Sequence, residues 1–241
     1  ARTVSESPLP LMSPAWSPDG EWLAYVSFES HSSAIWLQRV RTGERRRLLA
    51  RPGINGSPAF EPTRGDRLAV TLSTVGGNLD IYLVALADGA LTRVTSDPAI
   101  DTEAVFSPDG RSLYFTSDRA GSPQIYRAEA LANAPAKRMT FTGSYNARPR
   151  LSPDGKQLAM VTLAGGSYRV AVQDLATGVV RQLTKGPLDE SPSFAPNGAM
   201  LIYAGRDRGQ GVLATVAIDG LTTQRLKADE GEVREPVWGP R

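Results

Sequence analysis

Six copies of one short pattern limit how this chain can fold. Ser13-Pro14-Ala15-Trp16 runs into the turn Ser17-Pro18-Asp19-Gly20. Ser57-Pro58-Ala59-Phe60 runs into a looser turn, Glu61-Pro62-Thr63-Arg64-Gly65-Asp66, and Glu103-Ala104-Val105-Phe106 into Ser107-Pro108-Asp109-Gly110. Arg148-Pro149-Arg150-Leu151 leads to Ser152-Pro153-Asp154-Gly155, and Ser191-Pro192-Ser193-Phe194 to Ala195-Pro196-Asn197-Gly198. Glu235-Pro236-Val237-Trp238 is followed by Gly239-Pro240. The starts at 13, 57, 103, 148, 191 and 235 are separated by 44, 46, 45, 43 and 44 residues. In the Ser-Pro-Asp-Gly turns Pro presets φ, Asp bonds back to the chain, and Gly takes a positive φ. Short β-rich runs on either side read as hairpins. A period of roughly 40–45 residues with four strands per unit is the mark of a β-propeller.

We label the strands of each unit A to D. The B strands, such as Leu23-Ala24-Tyr25-Val26 and Leu113-Tyr114-Phe115, are apolar on both faces, which suits strands packed between neighbouring sheets. The C strands end at Thr42-Gly43, Asp88-Gly89, Thr177-Gly178 and Asp219-Gly220, which favour hairpin turns. Five units run complete from A to D. The sixth has only its A strand at 236–238, with 1–6 standing where a D strand should lie. The expectation is therefore an all-β, six-bladed propeller whose incomplete sixth blade is formed from both termini. It occupies 1–241 as one domain, with the rest of the sixth blade and an N-terminal α/β domain lying upstream of Ala1.

Composition excludes several kinds of chemistry. The chain has no cysteine and one histidine, His31, in a polar B–C turn. Thiolate and histidine-based metal sites are therefore excluded. No G-x-S-x-G elbow accompanies His31, so a Ser-His-Asp triad has no support. Gly76-Gly77 and Gly165-Gly166 are turn glycines, because no helix follows either. No apolar run reaches the length of a membrane span. The net charge is +2, too small to argue for nucleic acid. The D strands do carry arginines (Arg45 to Arg47, Arg93, Arg138, Arg181 and Arg225), but no aromatic stacking platform is interleaved with them. Charge on an outer strand blocks edge-to-edge pairing.

The informative residues lie where each D strand leads into the next A strand, because propeller geometry puts these connections on one face. They include Met12, Ile54, Asn55, Ser57, Thr102, Glu103, Tyr145, Arg148, Asp189, Glu190, Glu232, Arg234 and Glu235. This mix of carboxylates, guanidinium groups and apolar points suits protein docking. The paired acids also leave acid–base catalysis or an oxygen-ligated cation open.

Leu11-Met12-Ser13-Pro14-Ala15-Trp16-Ser17-Pro18-Asp19-Gly20, the run from Phe115 to Tyr126, Gln173-Asp174-Leu175-Ala176-Thr177-Gly178 and Leu188-Asp189-Glu190-Ser191-Pro192-Ser193 resemble the C-terminal propeller of the TolB family. That family is the periplasmic component of the Tol–Pal cell-envelope system. The resemblance extends over essentially the whole chain. It implies a non-enzymatic, periplasmic propeller that docks the peptidoglycan-associated lipoprotein Pal, with colicins using the same mouth. It supports outer-membrane integrity and envelope constriction at division. The family's Pal contacts map onto Met12, Ile54, Ser57, Thr102 and Glu103, where Ile54 and Ser57 replace a familiar His and Ala. The resemblance implies no cofactor, leaving a cation in the channel permitted but not required. The family's TolA-binding arm has no counterpart in the sequence, so TolA binding is not expected. Similar repeats also build polysaccharide lyases and the gate domains of serine peptidases, which keeps an enzymatic alternative open.

Overall fold

A computed structural model describes residues 3–73, 77–207, 209–226 and 233–240. Ala1, Gly76 and Glu232 lie outside the described residues. Five antiparallel sheets of four strands each follow the sequence repeat. Blade 1 comprises β1 (Leu11–Trp16), β2 (Trp22–Ser27), β3 (Ala34–Arg39) and β4 (Arg45–Leu49). Blade 2 comprises β5 (Asn55–Phe60), β6 (Arg67–Ser73), β7 (Leu79–Ala85) and β8 (Leu91–Arg93). Blade 3 comprises β9 (Asp101–Phe106), β10 (Ser112–Ser117), β11 (Gln124–Glu129) and β12 (Lys137–Arg138). Blade 4 comprises β13 (Asn146–Leu151), β14 (Gln157–Ala164), β15 (Ser167–Asp174) and β16 (Val180–Gln182). Blade 5 comprises β17 (Asp189–Phe194), β18 (Met200–Asp207), β19 (Gln210–Ala217) and β20 (Thr223–Leu226).

The turns form as their residues dictate. In the first, Ser17 N–H donates to Trp22 O at 2.9 Å and Gly20 N–H to Ser17 O at 2.9 Å. Asp19 accepts from the Ser17 hydroxyl and from Glu21 N–H. The second turn, longer by one residue, reaches the same end differently. The Glu61 carboxylate, 2% exposed, accepts from the Thr63 hydroxyl and the backbone N–H groups of Thr63, Arg64 and Gly65. Burial pushes this carboxyl up, but those hydrogen bonds outweigh it and hold it below the usual range.

The core lies between blades rather than within them. One cluster joins Leu113, Phe115 and Tyr126 of blade 3 to Ala69, Ile81 and Leu83 of blade 2. Others join blades 1 and 2, 3 and 4, and 4 and 5. Burying one such Leu or Phe stabilises by about 1.5–3 kcal/mol. This two-sided packing is why the B strands are apolar on both faces; β10 is buried along its whole length.

The expectation of six blades with a thin sixth is overturned: the propeller has five four-stranded blades. Residues 233–240 lie between β17 and β1 but form no strand. This segment repeats the A-strand sequence, yet no neighbouring B strand is present among the described residues for it to ladder with. Its contacts are made through side chains instead. Trp238 N–H donates to Ser193 Oγ on β17, and Glu235 accepts from Ser13 N–H on β1.

Candidate functional site

Each inner strand carries the same irregularity. In β1, Ser13 and Pro14 together face the single residue Tyr25, because Met12 pairs with Val26 and Ala15 with Ala24. The same two-against-one bulge places Ser57-Pro58 opposite Val70, Glu103-Ala104 opposite Phe115, Arg148-Pro149 opposite Met160 and Ser191-Pro192 opposite Tyr203. Proline has no N–H to give a ladder and is tolerated at a bulge. The first bulged residue is left-handed in all five strands, and Glu235 repeats the geometry: φ is 52° at Ser13, 48° at Ser57, 58° at Glu103, 56° at Arg148, 54° at Ser191 and 48° at Glu235. Non-glycine residues enter this region at a cost of about 1–2 kcal/mol. Here the preceding blade holds some of them in place. Glu103 N–H donates to Thr71 Oγ1 at 3.2 Å, and Arg148 N–H to Thr116 Oγ1 at 3.0 Å.

The six kinked residues line one end of a central channel with a cavity of about 470 Å³. Arg148 dominates this mouth electrostatically. Its guanidinium lies 3.1 Å from Glu103 on blade 3 and 3.7 Å from Glu190 on blade 5, and donates to Ser191 Oγ. Glu103 also accepts from Thr116 Oγ1. Met12 and Ile54 stand exposed at 43% and 51%. Tyr145 is half-buried in an edge-to-face pair with Tyr168, and burial together with the Glu103 carboxylate pushes its phenol up.

The sequence-derived residues thus separate into two groups. Ser57, Glu103, Arg148 and Glu235 belong to the kinked ring; Met12, Thr102, Glu190 and Arg234 each precede a kink; Ile54 and Tyr145 lie two residues further back. Asn55 and Asp189 are buried and turned inward. Asn55 Nδ2 donates to the carbonyls of Ser33 and Arg51, and its Oδ1 accepts from Arg51 N–H. Asp189 accepts from Gly186 N–H. Both hold their own D–A connection in place. Asp101 and Asn146 occupy the same position, and Asp101 receives a two-pronged contact from Arg119 at 3.0 and 2.8 Å.

Sequence reasoning missed Ile100, Phe141 and Tyr168 as exposed apolar points on this face. Ile100 is detectable in the sequence, because it precedes Asp101 just as Ile54 precedes Asn55. It also missed Arg150, two residues beyond the kink. The equivalent channel-lining positions are Ala15, Ala59, Val105, Ser193 and Val237. Among the described residues no cluster of three or more metal-ligating side chains occurs, and no helix is long and apolar enough to cross a membrane.

Comparison with known proteins places this arrangement. The family model described as the TolB beta propeller domain matches residues 1–241. The Tol-Pal system protein TolB of Xanthomonas oryzae pv. oryzae is 49% identical over 241 residues, covering 99% of this chain and 54% of that protein. Its counterpart in Bordetella pertussis is 47% identical over 232 residues, covering 96% of this chain and 52% of that protein. The chain therefore spans about half the length of the curated relatives it matches. The crystal structure of TolB from Acinetobacter baumannii superposes with a TM-score of 0.93 at 47% identity, covering 100% of this chain and 60% of that one. These relatives are named as Tol–Pal system components and not as enzymes.

Proposed function

Because this chain belongs to the TolB β-propeller family, we propose that it is a non-enzymatic binding module of the Tol–Pal system that docks the lipoprotein Pal on its kinked mouth. The observation that carries this reading is the ring of left-handed positions. All six repeats share the kink, and three different residue types, Ser, Glu and Arg, occupy it. A common backbone device aims variable side chains at one opening. That is how a rigid scaffold presents a recognition surface. Exposed Met12 and Ile54 supply apolar anchors beside the Glu103–Arg148–Glu190 charge set, the mix found in protein interfaces. The proposed setting is the periplasm, in support of envelope integrity and constriction, and colicin segments are proposed to use the same opening.

Glu103→Lys tests the reading. Reversal presents a cation where the partner's donors are expected, and it also breaks the 3.1 Å pair with Arg148. Calorimetry with purified Pal should show at least a tenfold loss of affinity, about 1.4 kcal/mol. The broken pair is partly exposed and costs roughly 1 kcal/mol or less, so Tm should fall by no more than about 4 °C. His31→Ala, on an exposed B–C turn, should leave binding unchanged. Unchanged affinity for Glu103→Lys, or an equal loss in both variants, removes this mouth from the docking site.

A further inference from the structure

Arg150 is the one charged residue in the second layer of the channel. Its counterparts, Ala15, Ala59, Val105, Ser193 and Val237, are small or apolar. A guanidinium set into such a wall loses much of its hydration, and a partly buried charge normally gains a counter-ion in return. Arg150 has none. Its Nη1 donates to Pro149 O at 2.8 Å, a carbonyl of the adjacent residue. Among the described residues no carboxylate lies within ion-pair distance of it. Glu103 and Glu235 attract it only from further away, and Arg148 repels it. The mouth carboxylates are already engaged: Glu103 and Glu190 by Arg148, Glu235 by Ser13 N–H. The remaining donors of the Arg150 fork are left to the channel, whose volume of about 470 Å³ has room for a small anionic group.

We propose that the channel is a carboxylate-binding site centred on Arg150. A carboxylate is the anion that matches the planar fork with two parallel hydrogen bonds. Ala15, Ala59, Val105 and Val237 would pack the carbon stem behind it. The fixed guanidinium also sets the channel against metal cations. Consistent with a fork that lacks a counter-ion, burial holds the Arg150 guanidinium below its ordinary range. The carboxylate has two sources with the same chemistry: an acidic side chain of a docked protein, or a free small carboxylate.

Trp16 and Trp238 line the same cavity and provide the readout. Glutarate titrated into the intact chain should change their fluorescence saturably, and chloride at matched ionic strength should not. Arg150→Met should weaken the response at least tenfold. Arg150→Lys, which keeps the charge but loses the fork, should fall between the two. Replacing a poorly paired internal cation by an apolar side chain is neutral or stabilising, so Arg150→Met should melt at or above the parent temperature. No saturable glutarate response, an equal response to chloride, or full retention in Arg150→Met overturns the proposal. A second arm separates the sources. If glutarate competes with purified Pal and Arg150→Met weakens Pal, the docked protein supplies the acid; if Pal binds independently of both, the ligand is a free carboxylate. Loss of the Pal reading through Glu103→Lys leaves the glutarate result standing, so the two proposals can fail separately.

Discussion

At one rim of the channel, Pro18 covers Gly65, Pro108 covers Gly155, Pro153 covers Gly198 and Pro240 covers Gly20, each proline meeting the turn glycine of the next repeat. At the other rim, the repeated kink carries serine at three positions, glutamate at two and arginine at one. Both rims come from the same repeating unit. At the turn rim the side chains themselves make the contact between repeats, so their identity is constrained. At the kinked rim Thr71 and Thr116 hold two of the kinks through backbone N–H groups. The side-chain contacts there differ from repeat to repeat, as in the Arg148 bridge to Glu103 and Glu190 and the Glu235 contact with Ser13 N–H, so side-chain identity varies. The difference separates what holds the ring from what gives it a recognition surface.

The largest test of this division removes the segment that takes part in both rims. Residues 233–240 place Pro240 against Gly20, Gly239 against Trp16 and Glu235 against Ser13. Deleting 235–241 should leave the kinked positions of the five blades intact but open the ring between β17 and β1. Trp238 is half-buried, and its loss together with that of Pro236 and Val237 costs about 3–5 kcal/mol, the range for a buried aromatic. At roughly 2–4 °C per kcal/mol for a chain of this size, Tm should drop by about 10 °C or more. A deletion variant that melts with the parent would show that the turn rim does not depend on closure.

The repeat was legible in the sequence because its punctuation is chemical: Pro, Asp and Gly are present for backbone reasons that act within four residues. The left-handed kinks were not legible. Neither Glu103 nor Arg148 announces a positive φ; the conformation is imposed by the bulge and by Thr71 and Thr116 on neighbouring blades. The same blindness explains Asn55 and Asp189, whose polarity suggests exposure although their hydrogen bonds turn inward. An incomplete sixth blade was expected because the A-strand pattern occurs a sixth time; that its B strand is missing was legible, but not that the A-like run at 233–240 forms no strand without it. Arg150 becomes visible only when the six repeats are aligned position by position.

A smaller effect sharpens the turn rim itself. Gly110 has φ +70°, and a Cβ there would run into Glu61 Oε1. Gly43 has φ +76°, and a Cβ there would meet nothing within 4 Å. Gly110→Ala combines left-handed strain with displacement of a buried carboxylate from its N–H donors, and should cost about 3 kcal/mol. Gly43→Ala carries the strain alone, about 1 kcal/mol. Urea denaturation of the two variants measures the gap. Equal losses would mean that contact between repeats adds nothing at this rim.

The smallest effect concerns acid. Hydrogen bonds from the serine hydroxyl and from the backbone N–H two residues on hold the Asp19, Asp109 and Asp154 carboxyls below the ordinary 3.8. A carboxyl depressed in the folded state binds fewer protons there than in the unfolded chain. Its stabilisation is therefore complete above the unfolded value and is lost as pH falls through the folded one. The fifth repeat already carries the neutral alternative: Asn197 Oδ1 accepts from Ala199 N–H at 3.0 Å, so the turn closes without a charge. Asp109→Asn should accordingly fold normally. At pH 7 it should be less stable than the parent by about 0.5 kcal/mol, small because the group is exposed and screened. The difference should shrink as pH drops below 3.8 and vanish once Asp109 of the parent is protonated. Melting curves of both proteins from pH 7 to about 2.5 follow this convergence. A gap that stays constant across the range would show that the asparagine alters the turn sterically and that charge plays no part in holding it.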